Sequence, residues 1–421
     1  MVNNFDQLYY QNPYMSEFVS DLLSYREMKG RTWVRLSQTC FYPLGGGQPG
    51  DQGELLVEDP TGSGLIKARF RVVDTILQDG QVWHGLENAS LSDLEPLQKC
   101  KFNGKIDFDR RFDFMQQHTG EHIVSGLVKQ KYGYNNVGFK IGETETSFDF
   151  DGDLTWSELN EIELLANQAV YQNLKIQTYQ LQGEELRSWQ YRSKLDLTGP
   201  VRLIVIPGYD QCACAGTHVA RTGEIGQIKL IRRESYKSGV RLHLVCGRRA
   251  LLYQQKLQQI LNSAGQIISA NLDNFIELSL AREAEIDQLK QAAEARTKAW
   301  SNLVKQRLET RQTSLLVSPT IFEKKEWLPV ARDLASHLDG FVCFLFARPG
   351  DTHFIFLHSE KLDVKEFLPE MREQIGFKGG GNGSTIQGHI SVDLSEVEVF
   401  LKDVSAKKLG KNSAFILLCQ D

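Results

Sequence analysis

Residues 116–122 read Gln116-Gln117-His118-Thr119-Gly120-Glu121-His122. They lie in a run from about Asp107 to Lys131 where Phe114, Ile123, Val124 and Leu127 recur at helical spacing. The spacing predicts a helix here, with Gly133 as its stop. His118 and His122 then stand one turn apart on one face, where two imidazoles can share a cation. Gly120 between them weakens the helix by about 1 kcal/mol relative to alanine, which points to a close approach by another part of the chain. Far downstream, Cys212-Ala213-Cys214-Ala215-Gly216-Thr217-His218 offers a thiolate and an imidazole four residues apart in a turn-rich segment. A His pair from a helix and a Cys-His pair from a turn make a tetrahedral N/S set suited to Zn²⁺. Cys214 keeps the four-residue spacing to His218 and is the better ligand, while Cys212 is a buried neighbour or a competing ligand. Each half alone says little, since paired histidines on a helix are more often an ordinary polar face. Together they take three of nine histidines and two of seven cysteines within one expected domain.

Upstream of the helix the chain reads as short strands, such as Thr32–Leu36, Ala68–Val73 and Gln81–His84, with a turn at Asp59-Pro60-Thr61-Gly62. A small barrel or curled sheet accounts for them most economically. Downstream, a strand near Thr146–Phe150 precedes a helix from about Thr155 to Asn173, capped by Asp153 or Thr155 with Glu158 in its first turn. Strands follow at Ile176–Gln180, Val201–Ile206, Ile225–Ile231 and Val240–Val245. No proline occurs between Pro207 and Pro319, and there Leu272, Ser279, Ile286, Ala293 and Trp300 stand seven apart. Phe275, Arg282, Leu289, Arg296 and Leu303 form a second series offset by three. This interrupted heptad seam predicts a long helical hairpin or a modest coiled coil, joining domains or forming a homodimer.

After Pro319 come strand-like Phe341–Ala347 and His353–His358, an amphipathic helix at Val364–Ile375 and a glycine-rich loop from Lys378 to Ser384. A helix at Leu394–Ser405 and a strand at Ala414–Cys419 close the chain. The fold class is therefore α+β, in four parts. Residues 1–100 form a small N-terminal β-barrel, 101–250 a zinc-binding α+β domain, 251–312 a helical or coiled segment, and 313–421 a C-terminal α/β domain.

Of 421 residues, 41% are hydrophobic and 24% charged, the balance of a soluble globular protein. The first residues lack the basic start and apolar core of a signal peptide, and no run approaches the ~20 apolar residues that span a bilayer. Seven cysteines without a framework spacing suit a reducing compartment, so a cytoplasmic protein with no membrane partner is expected. A net charge of −5 argues against a protein wholly devoted to nucleic acid. A local basic stretch exists nonetheless: Lys229, Arg232, Arg233, Lys237, Arg241, Arg248 and Arg249 face the single acid Glu234 between Lys229 and Arg249. It is either a salt-bridged face or a phosphate-binding one.

His118-x-x-x-His122 followed by Cys214-Ala-Gly-Thr-His218 resembles the paired zinc motifs of the alanyl-tRNA synthetase editing domain. The likeness continues through Gly223-Glu-Ile-Gly226 and Ser238-Gly-Val-Arg241 to Gly247. Phe41-Tyr42-Pro43-Leu44-Gly45-Gly46-Gly47-Gln48-Pro49-Gly50-Asp51-Gln52-Gly53 resembles the glycine-rich motif of free-standing AlaX editing proteins. The helical stretch and glycine-rich C-terminal unit are similar to the tail of alanyl-tRNA synthetase, so the chain resembles the long form of AlaX. Two departures stand out: the family often shows Cys-Gly-Gly-Thr-His where this chain has Ala215, and the loop after Lys140 lacks a histidine that some relatives carry.

The resemblance implies a zinc-dependent hydrolase acting in trans on mischarged alanine tRNA, with serine the leading misattached amino acid and glycine the second. It implies His118, His122, Cys214 and His218 as Zn²⁺ ligands. Thr119 and Thr217 are candidates to contact a serine hydroxyl, against packing or capping roles. Gly45, Gly46, Gly47 and Gln48 are candidates to meet the terminal ribose or phosphate, against a tight turn that needs positive φ. Arg232, Arg233, Lys237, Arg241 and, beside the C-terminal glycines, Lys378 are candidates for the tRNA backbone. Two rivals stand beside this reading. His118-Thr119-Gly120-Glu121-His122 also matches the H-x-x-E-H pattern of inverted zinc proteases, with Glu121 as general base, but those need a carboxylate ligand where this chain has Cys and His. The other rival is a non-catalytic tRNA-binding protein with a structural zinc.

Overall fold

The computed structural model describes residues 7–59, 66–193, 199–307, 313–318, 326–346, 353–410 and 414–419. A short helix α1 (Leu8–Gln11) leads into β1 (Glu17–Met28), β2 (Arg31–Leu36), β3 (Gly53–Glu58), β4 (Ile66–Gln78) and β5 (Gln81–Leu86), then α2 (Leu91–Leu94) and β6 (Lys101–Ile106). The six strands close a barrel in the order β1-β2-β5-β4-β3-β6, around Phe18, Val34, Phe41, Leu55, Val72 and Phe102. Closure leaves no open sheet edge. The expected strands are segments of longer ones, and β1 carried too weak an alternation to be read. The expected turn at Asp59-Pro60-Thr61-Gly62 lies outside the described residues from Pro60 onward.

The helix that carries the histidines, α3, runs from Phe108 to Tyr132 and stops at Gly133 (φ 76), whose N–H donates to Lys129 O. It is buried on every side over most of its length. After it come β7 (Asn136–Ile141), β8 (Thr146–Phe150), α4 (Trp156–Gln172), β9 (Gln177–Leu181), α5 (Gly183–Arg187), β10 (Val201–Ile206), β11 (Asp210–Ala213), β12 (Ile228–Tyr236) and β13 (Gly239–Cys246). They form two antiparallel sheets, β12-β13-β8-β7 and β11-β10-β9. Thr155 caps α4 in a reciprocal box, its N–H donating to Glu158 Oε2 at 2.7 Å while Glu158 N–H donates to Thr155 Oγ1 at 3.3 Å. The close approach that Gly120 implied is made by β13: a Cβ there would stand 2.3 Å from Cys246 Sγ. One at Gly126 would stand 2.2 Å from the Tyr209 carbonyl, between β10 and β11. Two glycines on α3 thus let both sheets close on the helix.

The chain divides into two compact units, Met1–Ser263 and Ala264–Asp421. The four-part layout expected above is finer than this; its boundary at residue 100 would cut β6 (Lys101–Ile106) from the barrel that this strand closes, and its boundary near 312 falls outside the described residues. Helix α6 spans Arg248–Ile268 and α7 spans Phe275–Arg307, within the stretch expected to be helical. On α7, Trp300 and Val304 pack on α8 (Trp327–Ala335), while Ile276, Ile286, Leu289 and Leu303 of the helix stay exposed.

The second unit continues with β14 (Thr313–Ser318), α8, β15 (Val342–Phe346), β16 (His353–His358), α9 (Leu368–Gln374), β17 (Lys378–Gly381), β18 (Thr385–Ile390), α10 (Leu394–Leu409) and β19 (Ala414–Cys419). Its sheet runs β17-β18-β16-β15-β14-β19, with β14 parallel to both of its neighbours. Sequence reading missed β14 and α8. It also took Lys378–Ser384 as one loop, whereas Lys378–Gly381 is an edge strand paired with β18. The glycines explain this: a Cβ at Gly379 or Gly381 would stand 2.2 or 2.0 Å from a β18 carbonyl, so their absence permits the pairing. The helix expected over Val364–Ile375 is a 3-10 turn (Val364–Phe367) followed by α9. Pro369 in the first turn of α9 has no N–H to extend a helix back through Val364. No described helix is long and apolar enough to cross a membrane.

Candidate metal centre

His118 and His122 project from α3 toward the turn after β11, which supplies Cys214 and His218. One ligand atom from each of the four lies within 4.8 Å of the others. The His118 ring centroid is 5.2 Å from that of His122 and 4.5 Å from that of His218, and His118 Nε2 is 3.4 Å from Cys214 Sγ. Two motifs almost a hundred residues apart therefore meet at one point.

Each imidazole is anchored by its Nδ1. His118 Nδ1 is 3.0 Å from Gln48 Oε1, His122 Nδ1 is 2.8 Å from Asp210 Oδ2, and His218 Nδ1 is a looser 3.5 Å from Thr119 Oγ1. Such contacts set the tautomer and leave Nε2 lone pairs for the centre. The Nε2 of His218 is buried with no hydrogen-bond partner among the described residues. A buried orphan acceptor of this kind calls for a ligand. Burial would push the Cys214 thiol up, but His118, His218 and His122 around it hold it well below its ordinary value. The Gly216 N–H adds a hydrogen bond to its sulfur at 3.3 Å. Burial holds His218 down at about 3, hence neutral. Burial also opposes charge on His122, yet Cys214 and Asp210 raise it to about 10. A thiolate among imidazoles, one of them an unpartnered acceptor, is a donor set that fits Zn²⁺.

The turn that brings Cys214 in depends on Gly216, where a Cβ would stand 2.1 Å from His118 Cε1. Ala215, the departure from the family pattern, is half-buried. Arg202 holds the same turn from beneath, donating from one Nη to the Cys214 and Gly216 carbonyls at 3.0 and 2.8 Å. Cys212 does not join the set. Its thiol faces the Ala213 carbonyl at 3.6 Å, and burial pushes it well above its ordinary value.

The glycine-rich segment of the barrel reaches the centre. Gly45 and Gln48 exchange backbone hydrogen bonds at 3.1 and 3.0 Å across a tight turn, with Gly46 and Gly47 at φ 57 and 82. Gly47 lies so close to Phe139 that a Cβ would be 2.6 Å from its ring, and that ring sits 4.8 Å from His118. Gln48 is fully buried: its Oε1 also accepts from Thr217 N–H at 3.1 Å, and its Nε2 donates to Thr217 Oγ1 at 2.8 Å. Thr119 donates to Met115 O at 2.7 Å and accepts from Val219 N–H at 3.3 Å. Both threonines are fully buried. Glu121, the base of the protease pattern, accepts from Ser125 Oγ and Asn136 Nδ2, each at 2.5 Å, and is not in the Cys/His set.

The basic stretch is mostly paired. Arg232 meets Glu145, Arg233 meets Asp153, Arg241 meets Asp149, Lys229 meets Glu163 and Arg249 meets Asp113. The single acid within the stretch hid this, because the other acids come from distant segments. Lys237 is exposed with its ammonium 5.2 Å from the Tyr236 ring, and Lys378 is exposed on β17. Asp210, Arg192 and Arg202 were missed. Only Arg202 left a signal, as a charge inside the apolar run Val201–Ile206.

Residues 201–242, which include Cys214 and His218, match the family model for the threonyl and alanyl tRNA synthetase second additional domain. Among curated relatives, the alanyl-tRNA editing protein AlaX-L of Pyrococcus horikoshii is 27% identical over 96% of this chain and 98% of its own length. Alanine–tRNA ligases of Ignicoccus hospitalis and Methanoregula boonei are 27% and 29% identical over 90% and 91% of this chain, which spans only 40% and 41% of their length. The chain is thus related to the alanyl-tRNA synthetases. Its likeness to the AlaX-L protein runs from end to end of both chains, and the resemblance read from its motifs stands.

Proposed function

We propose that this chain is a zinc-dependent hydrolase that removes misattached amino acids from alanine tRNA in trans, with serine the first substrate and glycine the second. The observation that carries the reading is the convergence of His118, His122, Cys214 and His218, with the buried His218 Nε2 left as an unpartnered acceptor. Those four residues would hold Zn²⁺, whose charge polarises an ester carbonyl and lowers the barrier to attack by water. An ester is labile enough that placement matters more than an elaborate set of acids and bases. Placement would fall to the turn around Gly45–Gln48 and to Thr217, whose hydroxyl accepts from Gln48 and keeps its own O–H to donate. A site that donates to a serine hydroxyl leaves that donor unpaired when alanine enters, and so spares the correct product. The Thr119 hydroxyl already donates to the Met115 carbonyl, so Thr217 is the better candidate.

The four-part layout, with its first boundary moved from residue 100 to just after β6 and the others kept at 250 and 312, belongs to the same proposal, with the last part and Lys378 meeting tRNA and the helical segment pairing two copies. Arg232, Arg233 and Arg241 would add backbone contacts, and Lys237, which stands clear of the ion pairs, would contribute most. The proposed setting is the cytoplasm. One observation favours a second reading, a tRNA-binding protein with structural zinc: four protein donors complete a tetrahedral shell. Incubation with serylated and alanylated alanine tRNA decides between them. Selective release of serine supports hydrolysis, and binding without turnover supports the second reading.

A further inference from the structure

Beside the Cys/His set lies a second convergence of donor atoms: His122, Asp210 and Cys212, all buried and within 4.8 Å of one another. A second cation would be the simplest occupant, but the charges oppose it. Arg192 already engages both Asp210 oxygens, Nε to Oδ1 at 2.7 Å and Nη2 to Oδ2 at 2.8 Å. A guanidinium so placed fills the role a cation would have. It is also built in: Arg192 N–H donates to Gln211 O at 2.7 Å and Arg192 O accepts from Ala213 N–H at 2.9 Å. The segment bearing Arg192 is thereby stitched along β11, the strand that begins with Asp210 and leads to Cys214.

We propose that Asp210 and Arg192 are a positioning pair that holds His122 as its Nδ1–H tautomer, with Nε2 aimed at the Cys/His centre. The inference rests on the reading that this centre takes zinc. Three features carry it. Asp210 Oδ2 is 2.8 Å from His122 Nδ1, so the carboxylate accepts from that nitrogen and excludes the other tautomer. Asp210 is almost fully buried, and an unpaired carboxylate there would be costly, which is why Arg192 accompanies it. The pair links α3 to β11, the two elements whose relative placement brings the two metal motifs together. Carboxylate partners of metal-bound histidines typically govern affinity by about 10–100-fold. An amide in place of the carboxylate can turn its NH₂ toward Nδ1 and favour the wrong tautomer.

The test uses the full chain, zinc alone as the probe, and competition against a fluorescent chelator. Wild type is expected to take one equivalent. Asp210→Asn should bind about 10–100-fold more weakly, Arg192→Gln should weaken binding in the same direction, and Lys105→Gln, which breaks a remote ion pair with Glu17 on the barrel, should not change it. Thermal unfolding before zinc addition separates loss of fold from loss of positioning. Long-range ¹H–¹⁵N histidine spectra of the zinc-loaded wild type should show His122 protonated at Nδ1 and not at Nε2. Zinc affinity of Asp210→Asn within about twofold of wild type, His122 bound through Nδ1, or a second zinc equivalent that vanishes with Asp210→Asn would each overturn the proposal. If Asp210→Asn does not fold, Arg192→Gln and the wild-type spectrum still decide it. If wild type takes up no zinc, the metal reading fails, whereas a downfield Nδ1 proton on His122 that is lost in Asp210→Asn still reports the pair by itself.

Discussion

Arg111, in the first turn of α3, and Asp51, at the end of the glycine-rich segment, form an ion pair that is almost completely buried. Arg111 Nε donates to Asp51 Oδ1 at 3.0 Å, and its remaining nitrogens reach Asp51 Oδ2 and the Pro13 and Cys40 carbonyls. The same carboxylate accepts from Tyr42 N–H at 2.6 Å. The barrel is thus tied to the helix that carries His118 and His122.

Removing one partner leaves the other charged and buried, so Asp51→Ala should lower unfolding free energy by about 3–5 kcal/mol in urea titrations. The paired replacement Arg111→Met with Asp51→Leu should recover part of that loss. An Asp51→Ala protein as stable as wild type would show that the pair contributes nothing.

Zinc content should fall from one equivalent to none in Cys214→Ala and in His122→Ala. Deacylation of serylated alanine tRNA should fall in parallel. Loss of metal with full deacylation would make the centre structural.

Gly216→Ala drives a methyl group into the His118 ring and toward Gln48 Oε1. Crowding of that kind typically costs about 1–3 kcal/mol, and zinc affinity should drop with it. Ala215→Gly, one residue earlier, should change stability by no more than about 1 kcal/mol. Comparable effects from the two would remove the steric argument.

His84 is fully buried in the barrel, with Nδ1 3.1 Å from Val34 O and Nε2 2.9 Å from Thr39 Oγ1. Burial lowers it from 6.5 to about 4, with the hydrogen bond to Val34 opposing. The unfolded chain therefore takes up this proton first. The contribution is intact above the unfolded value and is lost as pH falls from 6.5 toward about 4. The loss should amount to about 3 kcal/mol at its fullest. Urea midpoints measured across that window should fall more steeply for wild type than for His84→Gln, and parallel curves would contradict the assignment.

If the basic strand pair faces tRNA, Lys237→Ala should weaken binding and reduce the slope of log affinity against log salt by about 1. Arg241→Ala should also lower stability, because it leaves the buried Asp149 carboxylate without its partner. An unchanged salt slope in Lys237→Ala would place the tRNA elsewhere.

The parts legible in the sequence were those set by local pattern. The helix from Phe108, the Thr155 cap with Glu158, and the strand at Ala414–Cys419 follow from periodicity, capping chemistry and a short unbroken apolar run. The two metal motifs were legible because His and Cys at fixed spacing are rare enough to notice. Long-range choices were not. Gly379 and Gly381 read as a loop because their pairing depends on the absence of side chains against β18, which only the fold reveals. Asp210 and Arg192 were invisible, since an Asp or Arg looks the same whether it faces water or a histidine. The basic stretch looked unpaired because Glu145, Asp149 and Asp153 reach it from another part of the chain.

The hydrogen bond from His118 to Gln48 makes ion uptake and barrel docking thermodynamically linked. Whatever occupies the centre favours the docked barrel, and a docked barrel raises affinity by the same factor. A fragment beginning after residue 100 would keep all four donors yet lose the acceptor that orients one of them. Such a fragment should bind metal more weakly than the whole chain, and chelators should open the full-length protein first at this seam.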